Sequence, residues 1–225
     1  MSDGWIAADW PAPAAILAGT TLRTGCLDAV GLPGDPCWLN QVHGVDVVSA
    51  GPYDNAPDAD ACVGQAPGDV CVVRTADCLP VLFCAADGTE IAAAHAGWRG
   101  LAAGVLEATV AHMSHAPQDL LVWMGPAISQ PAFEVGDEVR EAFVAGDDGA
   151  AGCFLANDRG RWQADLYALA RRRLAATGVN AIYGGGFCTF ADQQRFFSYR
   201  RDADCGRMIS FVGINTLENS DSAAI

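Results

Sequence analysis

Apolar positions in this chain fall into two kinds of run. Short, nearly continuous runs at 70–74, 80–84, 89–94, 120–124, 180–183 and 207–214 predict strands. Longer runs with apolar residues three and four apart, at 98–113, 133–144 and 165–177, predict helices. The last is the most fully specified. Asp165 stands as N-cap, Leu166, Leu169, Ala170 and Leu174 share one face, and Gly178 follows the end. Strands and helices alternate only in part. The pattern therefore predicts an α+β fold of mixed β-sheets flanked by helices, rather than a doubly wound parallel sheet. No repeat or low-complexity linker divides the chain. One domain over 1–225 is expected, with a frayed polar tail at 215–225.

The runs on either side of Asp87-Gly88 predict a hairpin, because Asp-Gly is a strong two-residue turn signal. If those two residues form the loop, paired positions sum to 175, His95 faces Pro80, and Cys78 is its diagonal neighbour. A turn shifted by one residue sets Cys78 opposite His95. Both registers keep the two side chains on one face, with Cβ atoms roughly 5–8 Å apart. That separation suits a shared metal ion or a thiolate–imidazolium pair. His43, in Asn40-Gln41-Val42-His43-Gly44, follows a short apolar run at a turn and is the third candidate. Two His and one Cys are a plausible zinc set with a fourth position left open. The spacings, 35 residues from His43 to Cys78 and 17 from Cys78 to His95, match no short metal motif. Bland readings stand beside this one: His95 as a core histidine, Cys78 as a buried hydrophobe, or the two as a metal-free nucleophile–base pair.

Other features carry less. His112 and His115 share a helix face but fit an interaction with the helix C-terminus better than a metal. Gly184-Gly185-Gly186 reads as a turn before it reads as a phosphate loop, and Arg171-Arg172-Arg173 as a solvated helix face. Trp98-Arg99 opens a helix just past His95, where N–H groups and a guanidinium would meet an anion. The segment from Phe196 to Asp202 is either a salt-bridged strand edge or a wall for an aromatic, anionic or phosphorylated ligand.

Composition narrows the partners. A formal charge of −14 disfavours nucleic acid and anionic membranes, though not a small anion met by local arginines. All 13 basic residues are arginine, which removes lysine Schiff-base chemistry and a lysine phosphate loop. Nine cysteines, an odd number with no Cys-x-x-Cys, read as mostly reduced and structural, among them Cys71, Cys84 and Cys188 in apolar, strand-like contexts. No apolar stretch approaches the roughly 18 residues of a membrane span. The start, Met1-Ser2-Asp3-Gly4-Trp5, lacks signal-peptide features, so a cytoplasmic location is expected.

Several blocks together carry a family resemblance. They are Asn40-Gln41-Val42-His43-Gly44, Thr75-Ala76-Asp77-Cys78-Leu79-Pro80, Ala94-His95-Ala96-Gly97-Trp98-Arg99-Gly100, Gly125-Pro126-Ala127-Ile128, Phe133-Glu134-Val135 and Phe197-Ser198-Tyr199-Arg200-Arg201-Asp202. In order and length they resemble the multicopper polyphenol oxidase (laccase-like) family, especially its enterobacterial members. That family is also described as purine nucleoside phosphorylases, and its bacterial members as peptidoglycan editing factors. The resemblance implies metal ligation by His43, Cys78 and His95, and a fold related to the cysteine-dependent toxin deamidase domain. It implies zinc-dependent phosphorolysis of adenosine, inosine, guanosine and methylthioadenosine, with adenosine deamination besides. The older implication is copper-dependent phenol oxidation, yet a multicopper set wants more than the four histidines present. A metal-free cysteine hydrolase acting in peptidoglycan editing is a further alternative, and a non-catalytic nucleoside-binding protein another. Purine nucleosides and phosphate are the expected partners, and a monomer the expected state. Arg99 and Arg200 are expected to offset phosphate charge, and Asp77 to support proton transfer or to cap its turn. Arg23, in Leu22-Arg23-Thr24-Gly25-Cys26, would be a substrate contact, but the long Asn- and Asp-rich segment that follows in the family pattern is missing here.

Overall fold

In the computed structural model, which describes residues 4–216, the two most continuous apolar runs become neighbouring central strands. Leu79–Ala85 and Ile91–Ala96 are buried at every position. A strand that is apolar throughout needs cover on both faces, and both are covered. Leu82, Cys84, Ile91 and Ala93 pack toward a second sheet, with Cys71, Val73 and Val212. Val81, Phe83, Ala92 and Ala94 pack with Leu101, Leu106, Leu169 and Leu174, which come from helices. The result is sheet on sheet on helices.

The central sheet has six strands in the order Ala181–Gly184, Leu120–Met124, Leu79–Ala85, Ile91–Ala96, Ala61–Gly64, Val47–Ser49. Its two outermost pairings are parallel and the rest antiparallel. The second sheet has five strands in the order Trp5–Ala7, Ile16–Thr21, Met208–Ile214, Val70–Thr75, Pro36–Cys37. A small antiparallel sheet joins Glu134–Val135, Trp162–Ala164 and Phe154–Ala156. This is the mixed α+β arrangement expected. The hairpin register also agrees: Pro80 pairs with His95 and Val81 with Ala94, around Gly88 at φ +79°.

Several boundaries differ, for local reasons. The strand predicted to stop at 94 runs to Ala96, because the His95 amide donates to the Asp60 carbonyl at 2.7 Å and extends the pairing. The helix predicted over 98–113 is two helices, Trp98–Ala103 and Val105–His112, broken at Gly104 with φ +105°. The helix predicted over 133–144 begins only at Asp137, because Glu134–Val135 pairs with Trp162 and Gln163 instead. Leu166–Thr177 is as expected: the Asp165 carboxylate accepts from the Ala168 amide at 2.9 Å, and Gly178 closes the end at φ +98°. Short strands such as Pro36–Cys37 and Val47–Ser49 lacked a readable run.

All nine cysteines are free thiols, and Cys71 and Cys84 are buried in strands. Cys188 corrects the expectation: it lies in a loop and is partly exposed. Of the predicted tail, Asn215 donates from its amide to the Ala15 carbonyl at 2.8 Å. Positions 217–225 lie outside the described residues. Among those described, no helix is long and apolar enough to cross a membrane.

Candidate metal centre and its cavity

The block Asn40-Gln41-Val42-His43-Gly44 is anchored residue by residue. The Asn40 amide donates to Asp58 at 2.6 Å. Gln41 exchanges two hydrogen bonds with the backbone of Arg74, at 2.8 and 2.9 Å, as a neighbouring strand would. The next three amides, of Val42, His43 and Gly44, donate to the carboxylate of Asp60 at 3.1, 3.0 and 2.6 Å. This turn holds His43 at φ +60°, a left-handed conformation uncommon for a residue with a side chain. The other non-glycine residue with positive φ among those described is Asp77, at +90°, directly before Cys78. Both unusual backbones thus set ligand-bearing positions.

These anchors bring His43, Cys78 and His95 together. One ligand atom from each lies within 4.8 Å of the others. The two imidazoles meet edge to face, with centroids 4.8 Å apart at 75°. His95 is buried, Cys78 partly so and His43 exposed, so the cluster opens on one side. Gly97 packs directly against it: a Cβ there would sit 2.9 Å from His43 Cδ2 and 3.2 Å from Cys78 Sγ. At Gly100 a Cβ would sit 2.8 Å from the Gly44 carbonyl oxygen. Both glycines of the His95–Gly100 block are therefore there for space.

Burial opposes ionisation of Cys78, but hydrogen bonds from His43 and His95, and their charges, outweigh it and bring the thiol down to about 6. Burial likewise disfavours charge on His95, while bonds to Asp60 and Cys78 and their charges hold it up at about 9. The donor set fits zinc: a thiolate-prone sulfur and two imidazoles, within a span that small side-chain shifts close to zinc–ligand lengths, with one side open.

The three side chains line a cavity of about 880 Å³. Arg74, Arg99, Arg200 and Arg207 line it, together with Trp98, Phe133 and Tyr199. The ion pairs of the described residues occupy Arg159, Arg172, Arg173 and Arg195, and none of the four cavity arginines. Instead the guanidiniums lie over aromatic rings: Arg99 over Trp98 at 4.4 Å, Arg200 over Phe133 at 5.5 Å, Arg207 over Tyr199 at 5.8 Å. Three are also steered by carbonyls, Arg74 by Leu39, Arg200 by Glu134, and Arg207 by Cys205 and Gly206. An acidic protein has thus gathered unpaired positive charge at one place.

The sequence profile of the multi-copper polyphenol oxidoreductase laccase family matches residues 20–215. The chain belongs to this family. Like it in sequence is a Pseudomonas aeruginosa protein named as a purine nucleoside phosphorylase. It is 48% identical over 238 residues, covering 93% of this chain and 98% of that one. The purine nucleoside phosphorylase YfiH of Escherichia coli K12 is 55% identical over 183 residues, covering 80% of this chain and 74% of its own. In structure, a crystallised Neisseria meningitidis protein superposes with a TM-score of 0.89 at 43% identity, covering 95% of this chain and 100% of that chain. The Pseudomonas alignment takes 238 positions to cover 93% of 225 residues, so about 29 of them have no counterpart here. That is consistent with the missing segment.

In this laccase-family chain, Arg99 and Arg200 line the cavity. Arg23 does not. Its guanidinium donates to the Gln193 carbonyl and lies over Phe197, and it does not line the cavity. Asp77 is a clamp: its carboxylate accepts from Thr189 Oγ1 at 2.6 Å, Ser198 Oγ at 3.0 Å and the Arg200 amide at 2.7 Å. It thereby draws the segment bearing Tyr199 and Arg200 over the cavity. These bonds reach across to residues 189–200 rather than cap the turn at Asp77 itself.

The 196–202 segment is not a strand edge: Tyr199 and Arg200 wall the cavity, while Arg201 donates to the Thr189, Phe190 and Phe196 carbonyls. The 171–173 arginines are not simply solvated. Arg171 holds the Ile182 and Gly184 carbonyls, Arg172 pairs with Asp147 and Arg173 with Glu107. His115 meets Glu90 and Asp87 rather than the helix carbonyls. Residues missed from the sequence are Asp60, Arg74 and Arg207. The one signal for Asp60 was an acidic residue placed directly before the apolar run Ala61–Gly64.

Proposed function

We propose that this protein is a zinc-dependent, cytoplasmic purine nucleoside phosphorylase, built as one domain and acting as a monomer, that also deaminates adenosine. One observation carries the reading. A His43–Cys78–His95 cluster and four arginines that have no carboxylate partner among the described residues share one cavity, in a chain 48% and 55% identical to proteins named for that activity. Zinc, held by those three residues, would supply Lewis-acid charge beside the reacting centre.

The chain's own groups account for the rest of phosphorolysis. Arg99 and Arg200 hold phosphate by charge-assisted hydrogen bonds, with Arg74 and Arg207 adding positive field. The rings of Trp98, Phe133 and Tyr199 offer flat apolar surface to a purine. A phosphate oxygen attacks the ribose C1′, the bond from C1′ to the purine nitrogen breaks, and its electron pair leaves with the base, which takes up a proton. Ribose 1-phosphate and the free base result. In deamination, water adds at the purine carbon bearing the amino group and ammonia leaves. Kinship with the cysteine-dependent toxin deamidase fold is part of the same proposal and rests on the family resemblance alone.

Incubation with adenosine, with and without phosphate, followed by chromatography tests this. Adenine and ribose 1-phosphate should form only with phosphate, and inosine in either case. None of these above a Cys78→Ala control defeats the reading. The poised thiol and imidazolium favour one rival, a metal-free cysteine hydrolase. It requires activity that survives chelation and is lost in Cys78→Ala.

A further inference from the structure

Asp60 is fully buried, and every group bonded to its carboxylate belongs to a segment that carries a metal-ligand histidine. The amides of Val42, His43 and Gly44 converge on it from the His43 turn. From the central sheet, His95 Nδ1 stands 2.7 Å from its Oδ1. The His95 amide also donates to the Asp60 carbonyl, so side chain and backbone of one residue grip the other twice. Three backbone N–H groups and an imidazole nitrogen converging on one carboxyl favour its ionised form over the acid, whose O–H would have to point at a donor or at His95. An ionised carboxylate only accepts, so His95 Nδ1 carries the proton and donates it. That leaves Nε2 as the nitrogen free for a metal.

We propose that Asp60 is the positioning residue of the metal centre, fixing the ring and tautomer of His95 and the left-handed turn of His43 through one carboxylate. The inference rests on the metal reading of the His43–Cys78–His95 cluster but not on the reaction. His43 and His95 lie 52 residues apart in the chain. A single acidic side chain that holds both converts two independent ligands into one preformed site, as outer-shell carboxylates do elsewhere.

Asp60→Asn is the informative variant, because it keeps the shape and replaces an accepting oxygen with a donating amide. Its affinity for Zn²⁺, titrated against a competing chelator, should fall tenfold to a hundredfold. Glu90→Gln, at the buried acid that meets His115 at the other end of the strand Ile91–Ala96, should bind zinc like the parent. Thermal melts of the metal-free proteins separate positioning from folding. A lower midpoint with zinc affinity within threefold of the parent means a merely structural role and overturns the proposal. Should Asp60→Asn not fold, nitrogen-resolved NMR of the zinc-loaded parent decides: a hydrogen-bonded proton on His95 Nδ1 is expected, and zinc on Nδ1 overturns the proposal. A parent that takes up no zinc overturns it together with the metal reading. A zinc-loaded parent that does not phosphorolyse nucleosides defeats only the reaction.

Discussion

Two histidine–carboxylate pairs stand at opposite ends of the strand Ile91–Ala96, and they are almost the same object. At one end His95 Nδ1 meets Asp60 at 2.7 Å, and at the other His115 Nδ1 meets Glu90 at 2.8 Å. Both carboxylates are buried, and both also accept from backbone amides, Glu90 from Ser114 and His115. The difference is what the second ring nitrogen sees. For His115, Nε2 lies 3.3 Å from the exposed carboxylate of Asp87, which completes an ion-pair clamp on the end of a helix. For His95 the far side of the ring meets a thiol and a second imidazole at the edge of an arginine-lined cavity. A buried acid beside a histidine therefore marks a well-fixed ring. Only the groups on its far side make that ring a ligand.

The largest expected effect breaks this contrast outright. His95→Gln should abolish zinc binding and lower phosphorolysis by about a thousandfold or more, while His115→Gln leaves both within twofold in zinc titration and initial-rate assays. Next is Gly97→Ala, whose methyl would press on His43 and Cys78. Displacing ligands by a fraction of an ångström should cost roughly tenfold to a hundredfold in kcat, with the metal-free thermal midpoint nearly unchanged. A smaller effect belongs to the cavity wall. Arg99→Met or Arg200→Met should raise the KM for phosphate about tenfold each, the equivalent of about 1.4 kcal/mol, and leave zinc affinity alone.

The smallest effect reports on the far pair. Hydrogen bonding to Glu90 holds His115 above its ordinary 6.5. Burial alone would raise Glu90, but bonds from Gln65, His115 and nearby amides hold it below 4.5. The His115 contribution is therefore complete below pH 6.5 and fades as pH rises through the raised value. That of Glu90 is complete above pH 4.5 and fades as pH falls through the lowered one. The stability difference between the parent and His115→Gln should thus peak between about pH 4.5 and 6.5 and shrink as pH rises above that window. At this partly exposed position it should stay within about 1 kcal/mol. Denaturant melts across that range check it, and a flat difference contradicts it.

Much of the centre was legible because local rules determine it. Asp87-Gly88 selects the hairpin register, which pairs Pro80 with His95 and leaves Cys78 one residue before the strand Leu79–Ala85, within reach of His95. What escaped depends on contacts between distant segments. Asp60 looks like any acid beside a strand until the turn at 42–44 folds onto it. Arg74 sits in one strand and Arg207 just before its antiparallel neighbour, and only the long-range pairing of Val70–Thr75 with Met208–Ile214 brings them to a common cavity. Arg23 erred the other way, since a family pattern placed it while the chain ties its guanidinium to Gln193. The break at Gly104 was written as a glycine but hidden by apolar periodicity that continues across it.

Zinc stoichiometry by equilibrium dialysis of the parent, His95→Gln and His115→Gln addresses the central claim most directly. One zinc per chain in the parent and in His115→Gln, and none in His95→Gln, is the predicted result. Zinc retained by His95→Gln, or lost equally from both variants, would contradict the account.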